Sequence, residues 1–180
     1  MKFHPWFLAA LLLAPVLAQA DGMTNAVIAP HARDLVVLQK DRLVPYPAEE
    51  LCRARYIILL YSAGWCVDCR AFAPTLVKAY DTQRKGADRF EVLLVSQDKS
   101  ATDMLDTMKS EKMRWPALAF AKVDGAEDFK KLYSRHGIPC LTVIDQAGKV
   151  VLQSKTDQDA KELLKTLQGM MGRRSGVSEN

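Results

Sequence analysis

Cys66 and Cys69 stand three residues apart in the run Tyr61-Ser62-Ala63-Gly64-Trp65-Cys66-Val67-Asp68-Cys69-Arg70, after an apolar stretch and before a helix-like one. Thiol-disulfide exchange needs such an arrangement. A strand ending at Ser62 fixes the first thiol in space, and a helix opening at Cys66 aims unpaired backbone N–H groups at its sulfur, which favours thiolate over thiol. At helical spacing Cys69 returns to the same face one turn later, within reach of a mixed disulfide formed on Cys66. The pair reads as a redox centre, with Cys66 as nucleophile and Cys69 as resolving thiol. A structural zinc site would want a second paired motif, but Cys52 and Cys140 are single. A structural disulfide has no need of Trp65 at a strand-to-helix junction, where the ring covers one side of the sulfurs and leaves the other open.

The elements that must hold this pair follow from the apolar periodicity. Asp34 to Leu38 and Leu43-Val44 read as a small hairpin through Gln39 to Arg42, stopped by Pro45 and Pro47. Ala48 to Arg53 reads as one helical turn, and Tyr56 to Tyr61 is a continuous apolar run of central-strand length. The helix after Cys66 carries Phe72, Leu76, Val77 and Tyr80, with a kink expected at Pro74 and an end at Lys85-Gly86-Ala87. Phe90 to Val95 is a second buried strand, followed by an amphipathic segment bearing Met104, Leu105 and Met108. Trp115 to Phe120 reads as a short strand or loop and Glu127 to Arg135 as a helix. Cys140 to Ile144 and Lys149 to Leu152 flank Asp145-Gln146-Ala147-Gly148 as a hairpin, and Ala160 to Leu167 closes with a helix. Parallel strands joined by helices, then an edge hairpin and a last helix, predict a three-layer α/β/α sandwich around a mixed central sheet.

The first twenty residues read as a signal peptide rather than as fold. Lys2 and His4 form a basic start, Trp6 to Ala18 an apolar run short for a bilayer, and Ala18-Gln19-Ala20 a small-residue cleavage site before Asp21. No later stretch suggests stable membrane insertion. The expectation is an exported protein, periplasmic if bacterial and otherwise secreted, outside the cytosolic glutathione pool. The remaining 21–180, about 160 residues, suit one domain at 21–170 with a core at about 34–168, and the polar, glycine-bearing 171–180 reads as a frayed tail. With 25 Lys and Arg against 21 Asp and Glu over 180 residues, the net charge of +4 is scattered. It forms no basic stripe of the kind nucleic acid requires, and a monomer is the simplest account.

Three stretches resemble the thioredoxin superfamily, in particular its nucleoredoxin, tryparedoxin and TlpA-like branch. Tyr61 to Arg70 with Phe72 and Pro74 resembles Y-F-S-A-x-W-C-P-P-C-R-x-F-x-P. Phe90-Glu91-Val92 through Ser96 and Asp98 is similar to F-E-V-x-F-V-S-x-D, and Tyr133 to Pro139 with Asp145 and Gly148-Lys149-Val150 to Y-x-V-x-G-I-P-T-L-x-x-x-D-x-x-G-K. The resemblance implies a thioredoxin-like fold and a protein thiol-disulfide oxidoreductase that uses no cofactor beyond its Cys66–Cys69 disulfide. Its partners would be protein disulfides and a thiol electron donor. It also implies a cis bond before Pro139, with Trp65, Ile138 and Pro139 contacting substrate and the backbone there pairing with substrate like an added strand.

Departures from the family pattern matter as much. Leu60 stands six residues before Cys66, where thioredoxins usually carry a buried acid, so the group that deprotonates Cys69 is open. Trp115-Pro116 moves a family proline to the other side of its tryptophan, which makes core packing as good an account as substrate contact. Asp68 stabilises the helix start but opposes a nearby thiolate, tilting the pair toward a reductant; the alternative is an ordinary solvent-facing acid. Cys140 replaces the family threonine after Pro139, so a third thiol is expected near the pair, or else a small buried residue. Cys52 sits ten residues before the motif, beyond disulfide reach of Cys140, and is expected unpaired. His136 is the one histidine near the site and reads as loop-exposed rather than as a ligand or proton shuttle. A second functional reading is a metal-handling chaperone in which Cys66, Cys69 and Cys140, with His136 as a further donor, suit soft Cu(I).

Overall fold

The computed structural model describes residues 25–83, 89–134, 136–155 and 159–175. The predicted signal segment, the helix end at Lys85-Gly86-Ala87, Arg135 and the last five residues lie outside that set. Among the described residues seven strands form one sheet in the order β2-β1-β5-β4-β3-β6-β7. β3 (Tyr56–Ser62) and β4 (Phe90–Ser96) are parallel neighbours at its centre, and every residue of both is buried. Uninterrupted apolar runs behave this way because both strand faces meet packed layers.

The alternation along β3 divides the core. Ile58 and Leu60 face one cluster, built with Phe72 and Leu76 of α2 (Val67–Gln83), Met104 and Met108 of α3 (Ala101–Ser110), and Leu164 and Leu167 of α6 (Ala160–Ser175). Ile57, Leu59 and Tyr61 face the other, with Leu51 of α1 (Ala48–Cys52), Phe129 of α5 (Glu127–Leu132) and Val123 of α4 (Phe120–Val123). This is the predicted α/β/α sandwich with a mixed sheet. The edges carry the half-exposed strands β2 (Arg42–Pro45) and β7 (Val150–Gln153), antiparallel to β1 (Leu35–Gln39) and β6 (Cys140–Asp145). The N-terminal hairpin joins the sheet through β5 (Ala117–Leu118), where Leu35 pairs with Leu118.

Two expected helix ends are corrected, and the open choice at Trp115 is settled. α2 continues past Pro74 as helix. α5 stops at Leu132 rather than Arg135, because the Leu132 carbonyl is taken by the Thr142 hydroxyl at 2.6 Å and the Gln153 amide at 2.7 Å while Tyr133 turns extended. α6 continues to Ser175, so 171–175 is helix and not tail. Met171 extends the Leu163, Leu164, Leu167 stripe and is buried, and Gly169 and Gly172 have open space around them, which makes them tolerable on the far side. Trp115 is fully buried against the Tyr80 ring at 5.4 Å, so it belongs to the core and not to a substrate contact.

Candidate active site

β3 delivers the chain to the C-terminal edge of the sheet, where Ala63 to Cys66 turn into α2. The Cys66 carbonyl accepts from the Arg70 N–H at 3.2 Å, and its sulfur accepts from the Cys69 N–H at 3.1 Å. Cys66 therefore caps the helix with its sulfur, and the helix proper begins at Val67, one residue after the expected start. The sulfur thereby satisfies a first-turn N–H that has no partner within the helix. Trp65 and Val67 on either side are 56 % and 68 % exposed, whereas Cys66 is 7 % exposed and Cys69 3 %. All four cysteines are free, so this is the geometry of the dithiol.

The loop before β6 closes the site from the other side. Gly137 takes φ of +104°, a conformation that a side chain would strain, and the Ile138–Pro139 bond is cis, as the resemblance implies. The Cys66 thiol donates to the Ile138 carbonyl at 3.3 Å. Between the two loops lies an open groove of about 600 Å³, with Trp65, Cys66, Val67 and Asp68 along one wall and Tyr133 and Ile138 along the other. Asp68 is exposed at the second helical position, the solvent-facing form of the two alternatives.

Burial raises the Cys69 thiol to about 12, helped by its hydrogen bond with Cys66. The Ser62 hydroxyl and the Ala63 backbone bond to the same sulfur and pull the other way. Leu60, 2 % exposed, fills the place of the family acid with core beneath α2, so the polar groups on Cys69 come from Ser62 and Ala63. Burial also raises the Tyr133 phenol, next the charge of Cys140, and last that of Cys69; a bond from the Gly137 backbone opposes them.

Cys140 is buried opposite Tyr61 in the β3–β6 register, its sulfur 3.1 Å from the Ser134 hydroxyl. The Tyr133 ring packs on Tyr61 at 5.0 Å. Among the described residues no group of three or more His, Cys, Asp or Glu side chains is arranged to hold a metal. His136 is exposed on its loop. Cys52 is half-buried at the end of α1, and burial, then the nearby Glu49 charge, raise its thiol.

The sequence reading did not foresee the support behind the redox loop. Asp98 Oδ1 accepts from the Gly64 N–H at 2.8 Å and the Thr107 hydroxyl at 3.1 Å, and Oδ2 from the Ser96 hydroxyl at 2.8 Å. The Trp65 indole N–H donates to the Gln97 carbonyl at 2.9 Å. The Arg70 guanidinium bonds the Gly64 carbonyl. A Cβ on Gly64 would lie 2.3 Å from Thr107 Oγ1, so only glycine fits this approach. One signal was present: Thr107 shares the buried face of α3 with Met104 and Met108, and a polar residue there implies a buried partner.

Fold and site together define a thioredoxin-type dithiol protein. Residues 54–150 match the profile of the Thioredoxin-like family, more than half of the chain, and the chain belongs to that family. Tryparedoxin of Trypanosoma brucei brucei is 35% identical over 102 residues, covering 56% of this chain and 69% of that protein. Nucleoredoxin of Xenopus laevis is 30% identical over 112 residues, covering 62% of this chain but 26% of that protein; the chain spans about a quarter of the nucleoredoxins' length. Among solved structures, thioredoxin from Wuchereria bancrofti superposes with a TM-score of 0.60 at 28% identity, covering 79% of this chain and 97% of that one. Tryparedoxin II from C. fasciculata gives 0.58 at 27% identity, covering 74% and 85%. Family and relatives support thiol-disulfide redox chemistry for this chain.

Proposed function

We propose that the protein is an exported reductase of protein disulfides. The observation that carries this reading is the Cys66 sulfur, held by the Cys69 N–H at 3.1 Å and facing the Ile138 carbonyl at 3.3 Å in an open groove. Cys66 as thiolate attacks one sulfur of a substrate disulfide; that bond breaks, a mixed disulfide forms, and the other substrate sulfur leaves and takes a proton. Cys69 loses its proton and attacks Cys66, releasing the second substrate thiol and leaving a Cys66–Cys69 disulfide. Two electrons pass to the substrate, and an external dithiol restores the pair. Trp65, Ile138 and Pro139 hold the substrate chain, Ile138 through its backbone in the manner of an added strand.

One feature favours the reducing direction. The high pKa of Cys69 keeps the dithiol from gaining by ionisation at that sulfur. One redox domain, at 21–175, follows an export signal at 1–20, where the basic start, apolar run and Ala18-Gln19-Ala20 support cleavage before Asp21.

The test is disulfide reduction by the parent, Cys66→Ser and Cys69→Ser proteins, with the potential of the pair measured against a thiol buffer. We expect no turnover from Cys66→Ser and an accumulating mixed disulfide on Cys69→Ser. A potential below about −200 mV supports a reductant, whereas one near −120 mV, the range of strong dithiol oxidants, overturns that direction. Equal activity in all three proteins removes the redox reading itself.

A further inference from the structure

We infer that Asp98 is a positioning residue for the redox loop, fixing Gly64 and through it the place of Trp65 and Cys66 over the substrate groove. This rests on the redox reading of the pair. Asp98 follows the end of β4, a central strand, and its carboxylate collects three donors from three different elements: the Gly64 N–H of the loop, the Thr107 hydroxyl of α3 and the Ser96 hydroxyl of β4. Its own N–H returns to Ser96 Oγ at 3.0 Å, which aims the carboxylate. A carboxylate has acceptor capacity for all of these, and bonds to a charged acceptor are roughly twice as strong as neutral ones.

Other bonds share in holding the loop. Within it, the Cys66 N–H bonds the Ala63 carbonyl at 3.2 Å, and the Arg70 guanidinium bonds the Gly64 carbonyl. Across it, two bonds reach the 97–98 segment, Gly64 N–H to Asp98 and the Trp65 indole to the Gln97 carbonyl at 2.9 Å. That segment is itself anchored by the Gln97 N–H to the Ser62 carbonyl at 2.8 Å. Thr107 presses so closely on Gly64 that a side chain there would collide with it, so carboxylate, hydroxyl and glycine form one fitted contact. If Asp98 lets go, Gly64 loses its donor's partner, and Cys66 is free to shift relative to the Ile138 carbonyl it now faces at 3.3 Å. Displacement of a reacting atom by about an ångström costs on the order of a hundredfold in rate.

The experiment compares parent, Asp98→Ala, Asp98→Asn and Thr107→Val in three measurements: kcat and KM for a disulfide substrate, the pH profile of Cys66 alkylation followed by peptide mass, and the Gly64 amide resonance. Expected are a fall in kcat/KM of about tenfold to a hundredfold for Asp98→Ala, a shifted alkylation profile and a moved Gly64 resonance. Asp98→Asn, which keeps an oxygen for Gly64, should stay close to the parent in all three, and Thr107→Val should fall between. A folded Asp98→Ala protein with the parent's alkylation profile and rate overturns the inference, as do equal losses in Asp98→Ala and Asp98→Asn. If Asp98→Ala does not fold, Thr107→Val and Ser96→Ala decide it, since each removes one bond; parental behaviour in both overturns it. Failure of the redox reading is separate: it would appear as no disulfide reduction by the parent, while alkylation and the Gly64 resonance still report on the loop.

Discussion

Cys69, one turn into α2, is held as a thiol up to about pH 12 by its burial and by its bond with Cys66, against an ordinary value of 9.0. The folded chain therefore keeps a proton that the unfolded chain gives up between those values. The stabilisation is present in full below about 9 and is lost as pH rises through 12. The reduced protein should lose urea resistance between about pH 9 and about pH 12 more steeply than Cys69→Ala, and parallel curves would contradict this. The same proton governs resolution. Release of substrate from the Cys66 mixed disulfide should quicken by roughly tenfold per pH unit across the neutral range, measured by stopped-flow single turnover. Gly64 gives a second residue-scale prediction. Gly64→Ala should cost about 1–3 kcal/mol in chemical denaturation because its Cβ meets Thr107 Oγ1, and Thr107→Ala in the same chain should recover part of that loss.

Among the elements, α3 matters to the site out of proportion to its length, because it carries Thr107 behind the redox loop. Ser100 begins it, its hydroxyl accepting from the Asp103 N–H at 3.0 Å, with Asp103 in the first turn and Lys109 in the last. Ser100→Ala should lower stability by about 1 kcal/mol, read from a denaturant midpoint, with no change in m-value. Central strands and amphipathic helices were readable in the sequence because their periodicity is a local consequence of burial. Their ends were less so. α5 ends where Thr142 and Gln153, ten and twenty-one residues on, claim its last carbonyl, and α6 runs past the predicted stop because Met171 finds the core. Neither partner is visible from the helix's own residues.

At the scale of the whole molecule, the sheet separates two cores, so a cavity opened on one face should not be felt on the other. Leu76→Ala, beneath α2, should cost about 2–5 kcal/mol and Phe129→Ala, beneath α5, about 3–5 kcal/mol. The double variant should equal their sum within about 0.5 kcal/mol, whereas a larger coupling would mean that the layers communicate through the strands. The sequence by itself determined the Cys66–Cys69 pair, the strand and helix on either side of it, the two-sided burial of β3 and β4, and the resemblance around Pro139. Each of these is written in neighbouring residues, through spacing, apolar period or motif. The tertiary structure alone decided that Cys140 meets Ser134 and that Tyr133 walls the groove. It alone brought Asp98 and Thr107 behind Gly64, from thirty-four and forty-three residues further along the chain. Such contacts depend on how the strands are ordered and registered in the sheet, a property of the folded whole that local spacing does not encode.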